Sequence, residues 1–242
     1  MFLSKKFIAA NYDVADFTNV VPAPYLRKTF NLDFTPESAE ITICGLGFYE
    51  LYINGVNITK GALAPYISNP DDICYYDNYD VKSYLKTGKN AIGIVLGNGF
   101  RNSFGGFVWD FEKADCRGAV CLALSFEAKS GDKSVTFEAD ESFKTHPSPL
   151  KRNDVRMGTL YDARDEIAGW NLPDFDDSSW KQGKAAFGTP EMQHLSTTWQ
   201  TPDIWVRRSF EVTDDWNGKE LFLNYSHDYV FELYVNGKEI VN

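Results

Sequence analysis

The sequence predicts an all-β protein made of tandem β-sandwich modules of jelly-roll type, and three observations carry that expectation. Helical periodicity is absent along the chain, whereas short alternating segments rich in Val, Ile, Tyr and Phe recur between Gly, Pro and Asn-Gly breaks. A hairpin signature appears twice: Phe48 to Ile58 reads FYELYINGVNI and Val230 to Ile240 reads VFELYVNGKEI, a displacement of 182 positions from 48 to 230. The basic strand upstream of it also returns, LRKTF at Leu26 to Phe30 and VRRSF at Val206 to Phe210, a displacement of 180 from 26 to 206. Solenoid repeats run at about 20 to 50 residues, so this spacing indicates a duplicated domain.

Composition narrows the function. The chain has 242 residues and 27.4 kDa, room for two modest domains. A net charge of −10 and a pI near 4.8 repel phosphate backbones and acidic membrane surfaces, so neither nucleic acid nor membrane is an expected partner. A neutral ligand suits that balance. Cys44, Cys74, Cys116 and Cys121 have no Cys-x-x-Cys spacing and no histidine cluster nearby, and neither a metal nor a cofactor is expected. Cys44 and Cys121 read as small buried apolar residues, and nothing requires a Cys116–Cys121 disulfide. The N-terminus, MFLSKKFIAANYD, lacks a sustained apolar run, and no segment is long enough to span a membrane. The compartment is left open: cytoplasmic, or periplasmic or secreted if a signal peptide has been removed.

Taken in order, residues 1–24 form a lead-in whose Pro22-Ala23-Pro24 fixes extended backbone before Tyr25. Strands are expected at 25–32, 39–46, 48–53 and 56–58, broken by Pro36 and Gly55. Residues 72–81 alternate into another strand, 82–85 make at most one helical turn, and 90–96 form a buried strand ended by Gly97-Asn98-Gly99. That glycine pair precedes no helix and is read as a tight turn, not a phosphate loop. Residues 100–117 are irregular and aromatic, and loops of that length are often functional. Strands at 119–126 and 134–138 flank the Ser130-Gly131-Asp132 turn. His146-Pro147-Ser148-Pro149 breaks the pattern, and 158–164 close a module occupying 25–170. The second module occupies 171–242, entered through Asp174 to Ser179 and Trp180.

For sugar binding, the useful set is a flat aromatic face with amide, carboxylate or guanidinium groups beside it. Asn98, Arg101, Trp109 and Asp110 in the irregular loop offer that set, against the favoured plain reading that Trp109 closes one end of the sandwich. Trp199 is the corresponding candidate in the second module, whereas Trp205 starts a strand and is expected to be packed. Arg27 and Arg207 hold equivalent places in the two copies, which points to a shared structural pairing with a carboxylate beside the hairpin. Asn54-Gly55 and Asn236-Gly237 are structural turn motifs.

The ordered motifs PAPYLRKTF (22–30), GLGFYELYING (45–55), Leu63-Ala64-Pro65, Tyr79-Asp80-Val81, LGNGF (96–100), Tyr161-Asp162-Ala163-Arg164 and Gly169-Trp170 resemble the N-terminal β-sandwich of bacterial α-L-rhamnosidases of the glycoside hydrolase family 78 type. The likeness covers roughly residues 20–170. Residues 171–242, with FDDSSW at 175–180 and WVRRSF at 205–210, are similar to the galactose-binding-like jelly rolls that open many β-glycosidases. Such a jelly roll continues beyond the length present here, so the second module is expected to be incomplete.

The resemblance implies an accessory, non-catalytic region, scaffolding and carbohydrate-binding, of an enzyme that hydrolyses terminal α-L-rhamnose from glycans. The family's catalytic carboxylates belong to a downstream (α/α)6 barrel, so this chain alone is expected to be inactive, with that barrel and rhamnose-containing glycans as partners. The alternative is a stand-alone carbohydrate-binding or interaction protein. Asp71-Asp72, Asp162, Asp165-Glu166 and Asp176-Asp177 are the carboxylates a hydrolase would draw on, but acidic pairs in turns commonly cap backbone amides. No catalytic residue is therefore nominated, and Asp162 with Arg164 is read as a structural salt bridge.

Overall fold

The computed structural model describes residues 4, 6–61, 63–68, 72–105, 114, 116–186, 205–207, 209–213, 216, 223 and 231–241. The chain divides into two compact units, Met1–Thr198 and Trp199–Asn242. In the first, the strands are β1 (Phe7–Ala9), β2 (Pro24–Leu32), β3 (Ser38–Leu46), β4 (Phe48–Ile53), β5 (Val56–Asn57), β6 (Asp77–Asp80) and β7 (Gly88–Gly97). They continue with β8 (Cys121–Ser130), β9 (Lys133–Glu138), β10 (Lys144–Pro147), β11 (Leu150–Asp154), β12 (Gly158–Tyr161), β13 (Lys181–Gln182) and β14 (Lys184–Ala186). Among the described residues of the first unit, helix is confined to 3-10 turns at Lys82–Tyr84 and Ala163–Asp165.

Two antiparallel sheets form a sandwich. One runs β14-β1-β8-β3-β6 with β9 also on β8, and the other β13-β10-β2-β7-β4-β5. Period-two alternation explains the core: Ala39, Ile41 and Ile43 of β3 and Leu122, Leu124 and Phe126 of β8 point inward from the first sheet. Tyr49, Leu51 and Ile53 of β4 and Ile92, Ile94 and Leu96 of β7 meet them from the second. Register puts Leu51 opposite Ile94 and Ile43 opposite Leu124, so apolar rows align within each sheet. Each such side chain contributes about 1.5–3 kcal/mol by leaving water.

The second sheet's outer face is covered as well. Tyr25, Trp170 and Trp180 are buried there, with Trp170 stacked on Tyr25 at 4.1 Å between ring centroids. Gly93 makes room: a Cβ on it would stand 2.8 Å from Asn171 Cβ and 2.9 Å from Trp170 Cζ3. Residues 171–186 therefore stay on the first sandwich. There β13 pairs with β10 and β14 with β1, carrying that unit past the boundary expected at 170/171.

Three further expectations change. The lead-in supplies β1, a full sheet strand between β14 and β8, too short at three residues to show alternation. The strand expected over 72–81 contracts to Asp77–Asp80, leaving Ile73, Tyr75 and Tyr76 exposed. Lys144–Pro147 is a strand on β2 rather than a break, because Pro147 falls opposite Pro24 at the ladder's end, where neither ring needs an N–H.

In the second unit the hairpin is β15 (Leu233–Val235) and β16 (Lys238–Val241). Its turn copies the first: Asn54 and Gly55 have φ of 50° and 88°, Asn236 and Gly237 50° and 78°, the paired left-handed values of a type I′ turn. Trp205, expected to be packed, is 95% exposed, since no described strand pairs with its segment.

Candidate functional site

The loops at the end of β7 hold the two described sugar-site candidates, and both are committed to the protein's own backbone. Asn98 is 2% exposed. Its Nδ2 donates to Val21 O at 2.8 Å, its backbone N–H donates to Asn153 Oδ1 at 3.1 Å, and its Oδ1 accepts from Asn102 Nδ2 at 3.3 Å. Asn98 thereby ties the lead-in to β11. Arg101 donates from Nε to Ala119 O at 3.0 Å and from Nη1 to Cys116 O, while its carbonyl accepts from Gly118 N–H at 3.0 Å. It clamps the irregular loop where it returns to β8. These bonds give both side chains a part in loop closure, and they occupy the Asn98 amide and two of the five N–H donors of Arg101. Trp109, Asp110 and Trp199 lie outside the described residues.

Arg101 also borders a cavity of about 40 Å³ together with Phe48, Tyr66, Tyr75 and Phe100. Tyr66 is 84% exposed, and Tyr75 and Phe100 are also exposed at this mouth. In the sequence, Tyr75 falls inside an expected strand and Tyr66 in no pattern, so neither aromatic stands out. The signal that could have found them is the proline-flanked, strand-free run from Pro65 to Pro70.

Asp71 lies outside the described residues, and the acidic candidates from Asp162 to Asp177 are engaged in structure. Arg164 grips Asp162 with Nη2 at 2.6 Å from Oδ2 and Nε at 2.8 Å from Oδ1, and these bonds hold the Asp162 carboxyl below the usual carboxylate range. Backbone N–H donation from Ser178 lowers Asp176 likewise. Asp165 pairs with Lys151 at 2.6 Å, Glu166 accepts from the Tyr161 hydroxyl, and Asp177 pairs with Arg27. Arg27 itself is fully buried, with Nη2 donating to Leu172 O at 2.8 Å and its guanidinium 5.3 Å from the Phe175 ring.

No disulfide joins the four cysteines, and burial pushes the Cys44 thiol up to about 12 and the Cys121 thiol up to about 11. Among the described residues no group of three or more His, Cys, Asp or Glu could hold a metal ion.

A family model described as the alpha-L-rhamnosidase N-terminal domain matches residues 35–203. An alpha-L-rhamnosidase of Formosa agariphila is 35% identical over 204 residues, covering 82% of this chain and 21% of its own length. The structure of the alpha-L-rhamnosidase from Dictyoglumus thermophilum matches with a TM-score of 0.65 and 34% identity over 76% of this chain and 21% of that one. The Streptomyces avermitilis alpha-L-rhamnosidase complexed with L-rhamnose matches with a TM-score of 0.63 and 28% identity over 69% of this chain and 16% of that one. The chain thus spans about a fifth of the length of the curated relative from Formosa agariphila. Residue motifs, sandwich topology and these likenesses agree: the chain belongs to the alpha-L-rhamnosidase N-terminal domain family.

Proposed function

We propose that this chain is a non-catalytic accessory region of an α-L-rhamnosidase-like glycoside hydrolase, a β scaffold for the catalytic part of a polypeptide that removes terminal α-L-rhamnose from glycans. The match of an N-terminal domain model to residues 35–203 carries this reading, and the directions of the resolved carboxylate shifts accompany it. Glycoside hydrolysis by paired carboxyls needs one of them protonated near neutral pH, with its pKa raised. Every described carboxylate with a resolved shift moves the other way: Asp16, Glu127, Asp140, Asp162 and Asp176 are all lowered. Such groups stay charged and have no proton to give. Rigid sheets with both faces of one covered are suited to bracing a neighbouring domain, and the match to an N-terminal domain model supports the same role.

The test is hydrolysis of an aryl α-L-rhamnoside by the purified chain, expected at the buffer background. A rate that scales with chain concentration would remove the accessory reading.

A weak sugar contact is the second reading, supported by exposed Tyr66 and Phe100 around the 40 Å³ cavity. Tethering raises effective concentration, so such a contact can be useful without being tight. Titration of L-rhamnose into the chain and into a Tyr66→Ala variant tests it, with equal affinity for both counting against this mouth.

A further inference from the structure

Asn-Gly is a dipeptide at which an asparagine side chain is open to attack by its own backbone, because glycine puts no side chain in the way of the nitrogen that follows. Three such pairs fall on described residues, at Asn54, Asn98 and Asn236, and a fourth, Asn217-Gly218, lies outside them. The three meet different surroundings. Asn54 has its amide held by three hydrogen bonds of 2.8 Å, from Ala91 N–H to Oδ1 and from Nδ2 to Tyr84 O and Asn90 Oδ1. Asn98 is buried, with Nδ2 fixed on Val21 O at 2.8 Å and Oδ1 accepting from Asn102 Nδ2 at 3.3 Å. Neither amide can turn toward the next nitrogen without breaking those bonds.

Asn236 carries no such restraint. It is exposed, and among the described residues its side chain makes no hydrogen bond. A Cβ on Gly237 would meet nothing within 4 Å, whereas one on Gly55 would stand 2.7 Å from Leu172 Cδ2. The ladders differ as well. β4 is bonded to β7 within a six-stranded sheet, while β15 and β16 form a two-stranded sheet, and an isolated hairpin is marginally stable in water. The turn between β15 and β16 therefore opens readily and lets Asn236 sample the geometry of ring closure.

We propose that Asn236 is a modification site at which the chain deamidates itself through a succinimide and acquires isoaspartate. The Gly237 nitrogen gives its proton to hydroxide and attacks Asn236 Cγ. The N–Cγ bond forms, the Cγ–Nδ2 bond breaks, and Nδ2 takes a proton from water and leaves as ammonia. Water then opens the ring at one of its two carbonyls, breaking the bond from that carbon to the Gly237 nitrogen. Opening at Cγ gives aspartate. Opening at the main-chain carbon gives isoaspartate, whose backbone runs through Cβ and Cγ and so gains a methylene. Either product makes a chain of net charge −10 one unit more negative. The extra methylene lies in a turn whose two left-handed residues set the β15–β16 register, so isoaspartate undoes that register.

The test is peptide mapping by mass spectrometry of the full chain, incubated folded in mildly alkaline buffer and, separately, in denaturant. Lys219 lies between Asn217 and Asn236, so trypsin puts the two on different peptides. In the folded chain Asn236 is expected to exchange NH2 for OH at least about tenfold faster than Asn54 or Asn98, whose hydrogen bonds must break first. In denaturant the three are expected to convert at similar rates. Asn54 or Asn98 keeping pace in the folded chain, an unchanged Asn236, or a spread of rates that survives denaturant would each overturn the proposal. Aspartate without isoaspartate would overturn the succinimide step. Amide hydrogen exchange over Leu233–Val241 is expected to quicken in the isoaspartyl fraction, and unchanged exchange would overturn the effect on the hairpin.

Discussion

Arg27 sits without exposure on the outer face of a sheet, where its charge meets Asp177 and its edge meets Phe175. Its equivalence to Arg207 announced a structural pairing, but the partner stands 150 residues away, and no local pattern names a partner at that range. Asp177→Ala leaves the cation buried and alone, and equilibrium urea unfolding is expected to show a loss of about 3 kcal/mol. Burial also pushes the Tyr25 hydroxyl up to about 12 from an ordinary value of 10.0, with the Tyr161 and Glu166 charges adding to it. The neutral hydroxyl is thus favoured by the fold, so its contribution is complete below pH 10 and is lost as pH rises towards 12. Unfolding midpoints of Tyr25→Phe are expected to fall less steeply across that window than those of the native chain. For the thiols, a chromogenic disulfide reagent at neutral pH is expected to spare Cys44 and Cys121, buried and raised, until denaturant is added, while exposed Cys74 reacts in the native state.

At the scale of elements, the two Asn-Gly turns share a backbone but not a setting. Asn54 Oδ1 accepts from Ala91 N–H at 2.8 Å, and its Nδ2 reaches Tyr84 O and Asn90 Oδ1, each at 2.8 Å. Asn236 makes no side-chain hydrogen bond among the described residues. Replacing either by Ala strains a left-handed residue, so Asn236→Ala is expected to cost about 1 kcal/mol and Asn54→Ala about 2–3 kcal/mol, read by chemical denaturation. Gly93→Ala would push a methyl into Trp170 and Asn171, at a cost of about 1–3 kcal/mol and with a change in tryptophan fluorescence. The longer strands were legible within a residue or two: β4 because period two and burial coincide in it, β3 and β7 because they are continuous apolar runs bounded by turn residues. The short strands β1, β10, β13 and β14 were not: their pairing is decided by tertiary partners, and a proline such as Pro147 argues locally against β10.

For the whole molecule, the segment 171–186 carries the first unit past residue 170. Its sequence, rich in Asp and Ser around Trp180, reads like the opening of a new module, yet Phe175 and Trp180 bury against the first sandwich and Asp177 closes on Arg27. The family was legible because its motifs are turns and short aromatic strands that keep their order along the chain. The site was less so. Asn98 and Arg101 carry sugar-binding chemistry in sequence, and the burial of Asn98 and the backbone hydrogen bonds of both, which tie loops together, show only in the packing. The accessory reading places this sandwich at the front of a larger glycosidase, and the size of the native polypeptide in its source cell tests that most directly. An antibody raised against residues 1–170 is expected to detect a band several times larger than 27.4 kDa. A single band at 27.4 kDa would contradict the account and leave a stand-alone binding protein in its place.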